Sequence, residues 1–235
     1  MTARRARRKT TREALDGERV VRAAIALADE RGLDALTMRA LATRLGVEGA
    51  SLYNHLASKG ALLDAMTERV AAEIEVPSQL RDWRAVMRQR AISAREVFSR
   101  HPWASAVMDA RQHSGPAQLA YADRVLGTLL GAGFSPRAAA NAFLVLDNYV
   151  YGAQRQRTSL ALPEGVETFD VAQELLTTLP GDAYPALVRV AADFAVGAHD
   201  EAAVFLFGLD LILDGLQRTL GSGLRHAARA AARVR

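Results

Sequence analysis

The 235-residue chain is half apolar and contains no cysteine, so it has material for a sizeable core and excludes disulfide frameworks, thiolate metal sites and cysteine nucleophiles. Its net charge of +4 is unevenly spread: residues 1–60 hold 12 basic and 7 acidic groups, residues 61–217 hold 13 and 19, and residues 218–235 hold five arginines and no acid. A basic front on an acidic body suits a polyanion-binding head, because Lys and Arg on phosphates supply most non-specific nucleic-acid affinity, although a merely solvated terminus has the same composition.

The start, "MTARRARRKTTREALD", has no apolar run behind its charges, and no apolar stretch approaches the ~20 residues of a membrane span, so a soluble cytoplasmic protein is expected. Residues 1–15 form a basic arm whose six cations between 3 and 12 show no apolar periodicity, which predicts disorder in the absence of DNA. From there helical spacing dominates. In "ERVVRAAIALADERG", Val20, Val21, Ala24, Ile25, Leu27 and Ala28 recur every three or four residues, and Gly32 ends the helix. Thr37 is placed to cap a two-turn helix with Met38, Leu41, Ala42 and Leu45 on its apolar face, closed by Gly46. A third short helix is predicted over about 48–56, and Ser58 caps a fourth running over 59–75, before Pro77. Further helices fit 80–100, 102–111, 115–131, 136–156, 184–195 and 200–220, with 159–170 read as a mobile loop. No alternating stretch argues for a sheet, so the fold class is all-α. The helix "EAAVFLFGLDLILDGL" is apolar nearly all round, which calls for cover on every side, by its own chain or by a partner subunit.

Two short helices about a turn at Gly46-Val47-Glu48 make a helix-turn-helix, whose second helix would enter the major groove; an ordinary helical hairpin has the same spacing. On the DNA reading, Gly49, Ala50 and Ser51 are small enough for close approach to base edges and Ser51 can hydrogen-bond. Tyr53 and His55 reach phosphates or base edges, Asn54 is the residue type that pairs with adenine, and Lys59 neutralises a phosphate. Leu52 and Leu56 point inward.

These residues carry a family resemblance. The segment "LTMRALATRLGVEGASLYNHLASKGALLDAM" resembles the DNA-binding segment of the tetracycline-repressor (TetR) family of bacterial transcriptional regulators. The segments "DWRAVMRQRA", "RHPW", "GPAQLAYADRVLGTLLGAGFS" and "FLFGLDLILDGL" resemble the C-terminal domain of the tetracycline-repressor subgroup, so the likeness spans roughly residues 15–220. It implies an N-terminal helix-turn-helix DNA-binding domain over 16–75, a larger helical ligand-binding and dimerisation domain over 80–220, and a basic tail over 221–235. It also implies a homodimer on a palindromic double-stranded operator, joined through helices 136–156 and 200–220, with Phe205, Leu209, Ile212 and Leu216 at the interface. The resemblance marks Arg39, Gly49, Ala50, Ser51, Tyr53, Asn54, His55 and Lys59 as the DNA-facing set. Gly49, Ala50 and Asn54 stand where the tetracycline repressor has glutamine, proline and tryptophan, which implies a different operator.

A small-organic-effector pocket is expected between helices 80–100, 102–111, 115–131 and 136–156, lined by Trp83, Met87, Arg90, His101, Trp103, Met108, Gln112, His113, Phe143, Asp147 and Tyr151. Each has plain core packing as its other reading, and His101 before Pro102 also reads as a helix-end structural histidine. A buried Arg90 or Asp147 would need a partner or a polar ligand. Glu75, Arg90, Ala94 and Met108 fall where the tetracycline repressor holds its drug and metal, so tetracycline with magnesium is expected to be a poor effector. No metal-spaced histidine pair, phosphate loop or G-x-S-x-G elbow is present, so no catalytic residue, metal or cofactor is expected. The different-class alternative is a helical small-molecule-binding or interaction protein whose basic arm meets acidic partners without specific DNA binding.

Overall fold

The computed structural model describes residues 15–110, 115–159, 168–178, 180, 183–194 and 200–232. The basic arm through residue 14, Gln112, His113 and the loop core at 160–167 therefore lie outside the described residues, as do residues 233–235 of the expected tail.

Helix α1 spans Gly17–Arg31; the Asp16 carboxylate accepts from the Arg19 amide at 2.7 Å, and Gly32 leaves the helix at φ 79°. A single 3₁₀ turn, Leu33–Ala35, leads to α2, Met38–Leu45. There Thr37 Oγ1 accepts from the Ala40 amide at 3.0 Å, and Gly46, left-handed at φ 66°, closes the C-terminus. Helix α3, Gly49–Tyr53, is shorter than the predicted 48–56, because the chain turns at Asn54 and His55. Ser58 caps α4, Lys59–Ala71, which ends before the predicted Glu75: the backbone turns so that Ile74 is buried and the Glu75 amide donates to Ser93 Oγ at 3.0 Å. Val20, Ala24, Leu27, Leu41, Leu52, Leu62 and Met66 interlock in the core joining α1 to α4. Burying each large side chain contributes about 1.5–3 kcal/mol.

The larger part begins with α5, Trp83–Arg100, capped by Asp82, followed by α6, Ala104–Ala110, α7, Pro116–Gly131, and α8, Pro136–Ser159. Helix α8 is the central post, packed on by α5, α6, α7 and α11, Glu201–Ala232. Helices α9, Thr168–Thr178, and α10, Pro185–Phe194, pack on each other. Helix α9 was not expected. Its start falls in the turn-prone 159–170 segment. Helix α11 also runs past the predicted end at 220.

The face of α11 differs from the expectation. Phe205 and Leu209 are 5 % and 0 % exposed within their own subunit, so they are core residues rather than interface residues, while Ile212 and Leu216 are half-buried against that core. Phe205 stacks on Tyr149 of α8 at 5.3 Å, and the Tyr149 hydroxyl donates to the Phe205 carbonyl at 2.8 Å. This approach requires Gly208, where an added Cβ would lie 2.4 Å from the Tyr149 oxygen. The outward stripe is Val204, Phe207 and Leu211, at 54, 69 and 55 % exposure, and α8 adds Leu144 and Val145 to the exposed apolar surface. The helix is thus not wrapped on all sides by its own chain.

Candidate DNA-reading head and effector pocket

Leu52, fully buried, and Leu56, half-buried, anchor α3 and its exit. Gly49, Ala50, Tyr53, Asn54, His55 and Lys59 are left exposed, with Ser51 half-buried, so the opposite face of the segment is free for recognition. Tyr53 is 54 % exposed, unusual for a large ring in a short helix with no partner to cover it. Beside this head a cleft of about 380 Å³ is lined by Leu27, Arg31, Thr37, Arg39, Ala40, Thr43 and Arg44. Glu30 grips Arg44 bidentately, both contacts at 2.6 Å, and this hydrogen bond holds the Glu30 carboxyl below its ordinary pKa. Arg39 is exposed and makes no ion pair among the described residues, so its charge is available to a phosphate or a base. The basic cleft and the polar tip of α3 together suit a duplex.

Helix α4 carries this head to the rest of the protein, packing on α1 at one end and on α6 and α7 at the other. Glu68 makes the join. Its carboxylate accepts from the Ala117 amide at 2.7 Å and the Gln118 amide at 3.3 Å, capping α7, whose own cap position, Gly115, has no side chain to do so. A second join lies nearby. Asp29 on α1 receives the Trp103 indole N–H at 2.7 Å and faces His101 Nδ1 at 2.9 Å; on its other side the imidazole meets Glu73 at 3.4 Å, which also accepts from Arg100 at 2.9 Å. Burial raises the Glu73 pKa, but the Arg100 hydrogen bond and the charge and hydrogen bond of His101 outweigh it and hold the carboxyl below its ordinary value. His101 and Trp103 are thus engaged in this clasp between the two parts, away from the cluster around Arg90.

Of the residues expected to line a pocket, those that converge are Arg90 from α5 and Phe143, Asp147 and Tyr151, which follow at four-residue steps on one face of α8. Arg90 is 1 % exposed; its Nη2 donates to Asp147 and to the Tyr121 hydroxyl, and its Nε donates to the same hydroxyl at 2.5 Å. The guanidinium also lies 5.0 Å from the Tyr121 ring centre and 5.7 Å from that of Phe143. Tyr121, on α7, is not among the residues expected in the lining. Tyr151 packs on Phe98 at 5.5 Å, and burial, reinforced by nearby Tyr121, pushes its phenol to about 12, so it stays neutral. Trp83 lies apart, edge-on to Phe134 at 5.1 Å, while Met87 is fully buried and Met108 half-buried. Of the residues expected to stand at the drug and metal positions of the tetracycline repressor, Glu75 is exposed and Ala94 buried.

A helix-turn-helix head joined by one linking helix to a larger helical body with a buried polar cluster is the architecture of a one-component DNA-binding regulator. Residues 20–66 match the family described as "Bacterial regulatory proteins, tetR family", and residues 76–220 match "Tetracyclin repressor-like, C-terminal domain". The chain is 35 % identical over 213 residues to the HTH-type transcriptional repressor DrrR1 of Streptomyces coeruleorubidus, covering 85 % of this chain and 76 % of that one. It is 36 % identical over 205 residues to the tetracycline repressor class A from transposon 1721 of Escherichia coli, covering 85 % and 89 %. Among solved structures, ActR of Streptomyces coelicolor superposes without ligand at TM-score 0.76 (29 % identity, 90 % of this chain, 99 % of that one) and with actinorhodin at 0.74 (30 %, 86 % and 95 %). The chain belongs to the tetracycline-repressor family of bacterial transcriptional regulators, and it is a ligand-responsive DNA-binding protein.

Proposed function

We propose that the chain is a homodimeric repressor that holds a palindromic operator and is released when a small organic effector enters the α5–α8 bundle; that the similar ActR forms complexes with actinorhodin and with (S)-DNPA supports a small-molecule effector. It acts by binding and not by catalysis. Residues 16–75 form the DNA-binding domain and 80–220 the ligand-binding and dimerisation domain. Arg39, Ser51 and Asn54 read bases, Tyr53, His55 and Lys59 hold phosphates, Gly49 and Ala50 permit close approach, and the arm over 1–15 adds phosphate or minor-groove contacts. The subunits meet through α8 and α11, with Val204, Phe207, Leu211 and Leu144 joining the interface and setting two heads about 34–36 Å apart. Among the described residues no helix is long and apolar enough to cross a membrane, and the working compartment of this reading is the cytoplasm.

One observation carries the switch: a single helix starts at Lys59 beside the head and places Glu68 on the α7 N-terminus, one turn before the Tyr121 that holds Arg90. A ligand shifts an equilibrium only by its difference in affinity for the two states, and couplings of about 1–3 kcal/mol change affinity roughly 5- to 150-fold in both directions. The test selects a duplex from a random pool with the purified protein, then titrates the complex with aromatic compounds and with magnesium-bound tetracycline. Release by an aromatic compound is expected, with its affinity lowered by DNA by the same factor. Equal effector affinity with and without DNA refutes the switch, and tight release by tetracycline refutes the pocket reading.

A further inference from the structure

The Arg90 cluster is incomplete in one respect. Nη1 of this side chain is buried and has no hydrogen-bond partner among the described residues, while Nε and Nη2 are both engaged. A guanidinium presents its two Nη groups as one edge of a planar fork that matches a carboxylate bidentately, and leaving half of that edge dry costs free energy. The partner that Arg90 does have sits at the rim: Asp147 is 15 % exposed against 1 % for the arginine, so its carboxylate can turn toward water while the arginine cannot. Against the guanidinium lie the rings of Tyr121 and Phe143, and the nearby Tyr151 phenol carries no charge to compete for it.

Resting on the reading of this bundle as the effector site, we propose that the effector is an aromatic acid whose carboxylate binds Arg90 Nη1 and Nη2 in place of Asp147. A neutral ligand of the same shape offers Nη1 only an uncharged acceptor in place of a bidentate carboxylate, and a cationic one adds a positive charge beside a buried arginine, so both bind more weakly. The exchange also ties binding to motion. Asp147 on α8 is displaced outward, and Tyr121, which keeps Nε but must share Nη2 with the incoming carboxylate, carries the change to the α7 end that Glu68 holds.

The test uses the full-length protein and two probes, 9,10-anthraquinone-2-carboxylate and its methyl ester, titrated by calorimetry against the native protein, Arg90→Met and Asp147→Asn. The acid is expected to bind the native protein at least tenfold more tightly than the ester. That preference disappears in Arg90→Met and widens in Asp147→Asn, where the competing carboxylate is gone. The Asp147 variant keeps the test decisive should Arg90→Met fail to fold, because a purely structural aspartate would weaken binding of the acid on removal. Equal affinity for acid and ester, no binding of either, or weaker acid binding to Asp147→Asn overturns the proposal. The same samples are assayed for release of the selected duplex. If the ester releases DNA as well as the acid does, the regulator reading stands and acid selectivity falls; if the acid binds through Arg90 and the duplex stays bound, the reverse holds.

Discussion

Replacing Glu68 with alanine removes the cap of α7 from outside that helix. The first helical residue, Pro116, has no N–H, so the two amides that Glu68 accepts, Ala117 at 2.7 Å and Gln118 at 3.3 Å, are the donors that lose a partner. An N-cap is worth about 0.5–2 kcal/mol, and a negative charge at a helix N-terminus about 0.3–1 kcal/mol within much the same interaction, so the expected loss is about 1–2 kcal/mol. For a chain of this size that is a fall of roughly 2–8 °C in melting temperature. Gln118 and Ala117 lie one turn from Tyr121, so the response to effector should weaken as well, and Glu68→Gln, which keeps an acceptor oxygen, should retain more of both properties. Gly115→Ala offers an independent route to the same defect, because its Cβ would sit 2.4 Å from the Glu68 carboxyl carbon and push that side chain off the cap. Thermal melts and duplex anisotropy of the two single variants and the double variant form a cycle, and the double should be little worse than either single. Full additivity, or an unchanged melt and unchanged DNA affinity in Glu68→Ala, refutes the assignment.

Lys59→Ala should weaken binding to all duplexes alike and reduce the slope of log affinity against log salt by about one, whereas Asn54→Ala should cost about 1–3 kcal/mol and relax preference at one base pair, both read from binding at several salt concentrations. Phe207→Asp, on the outward stripe of α11, should yield a folded monomer by light scattering, while Leu209→Asp, in the subunit's own core, should abolish folding; a dimeric Phe207→Asp protein places the interface elsewhere. Because Glu73 has a lowered pKa in the folded protein, its stabilisation is fully present above the ordinary carboxylate pKa and is lost as pH falls through the lowered value, so Glu73→Gln should flatten the acid side of a melting-temperature profile.

Local chemistry was legible in the sequence wherever a few neighbouring residues decide the outcome. Thr37 and Ser58 cap the helices they precede, Gly46 turns the chain left-handed, and Leu52 points in while Tyr53 points out. Phe143, Asp147 and Tyr151 stand at four-residue steps and so share one face of α8, a relation that helical period alone fixes. Contacts between distant segments were not legible. Tyr121 meets Arg90 across 31 residues, Glu68 meets Ala117 across 49, and His101 meets Asp29 across 72, and nothing in the intervening chain announces such pairings. For α11 the difficulty was different: apolar residues all round a helix show that it needs cover but not which side its own α5 and α8 provide. Only the packed structure assigns Phe205 and Leu209 inward and Phe207 outward.

The clasp at Asp29 bears on attempts to recombine regulators. This carboxylate belongs to the first helix of the reading head, yet the two groups it serves, the Trp103 indole and the His101 ring, sit at the junction of α5 and α6 in the body. A head transplanted onto this body from a regulator lacking an acid at that place would leave a buried indole N–H and a facing imidazole without their acceptor. The seam for a functional chimera therefore runs around residue 29 and not simply between residues 75 and 80, and a donor head should carry an aspartate there, or the host should lose its tryptophan and histidine together.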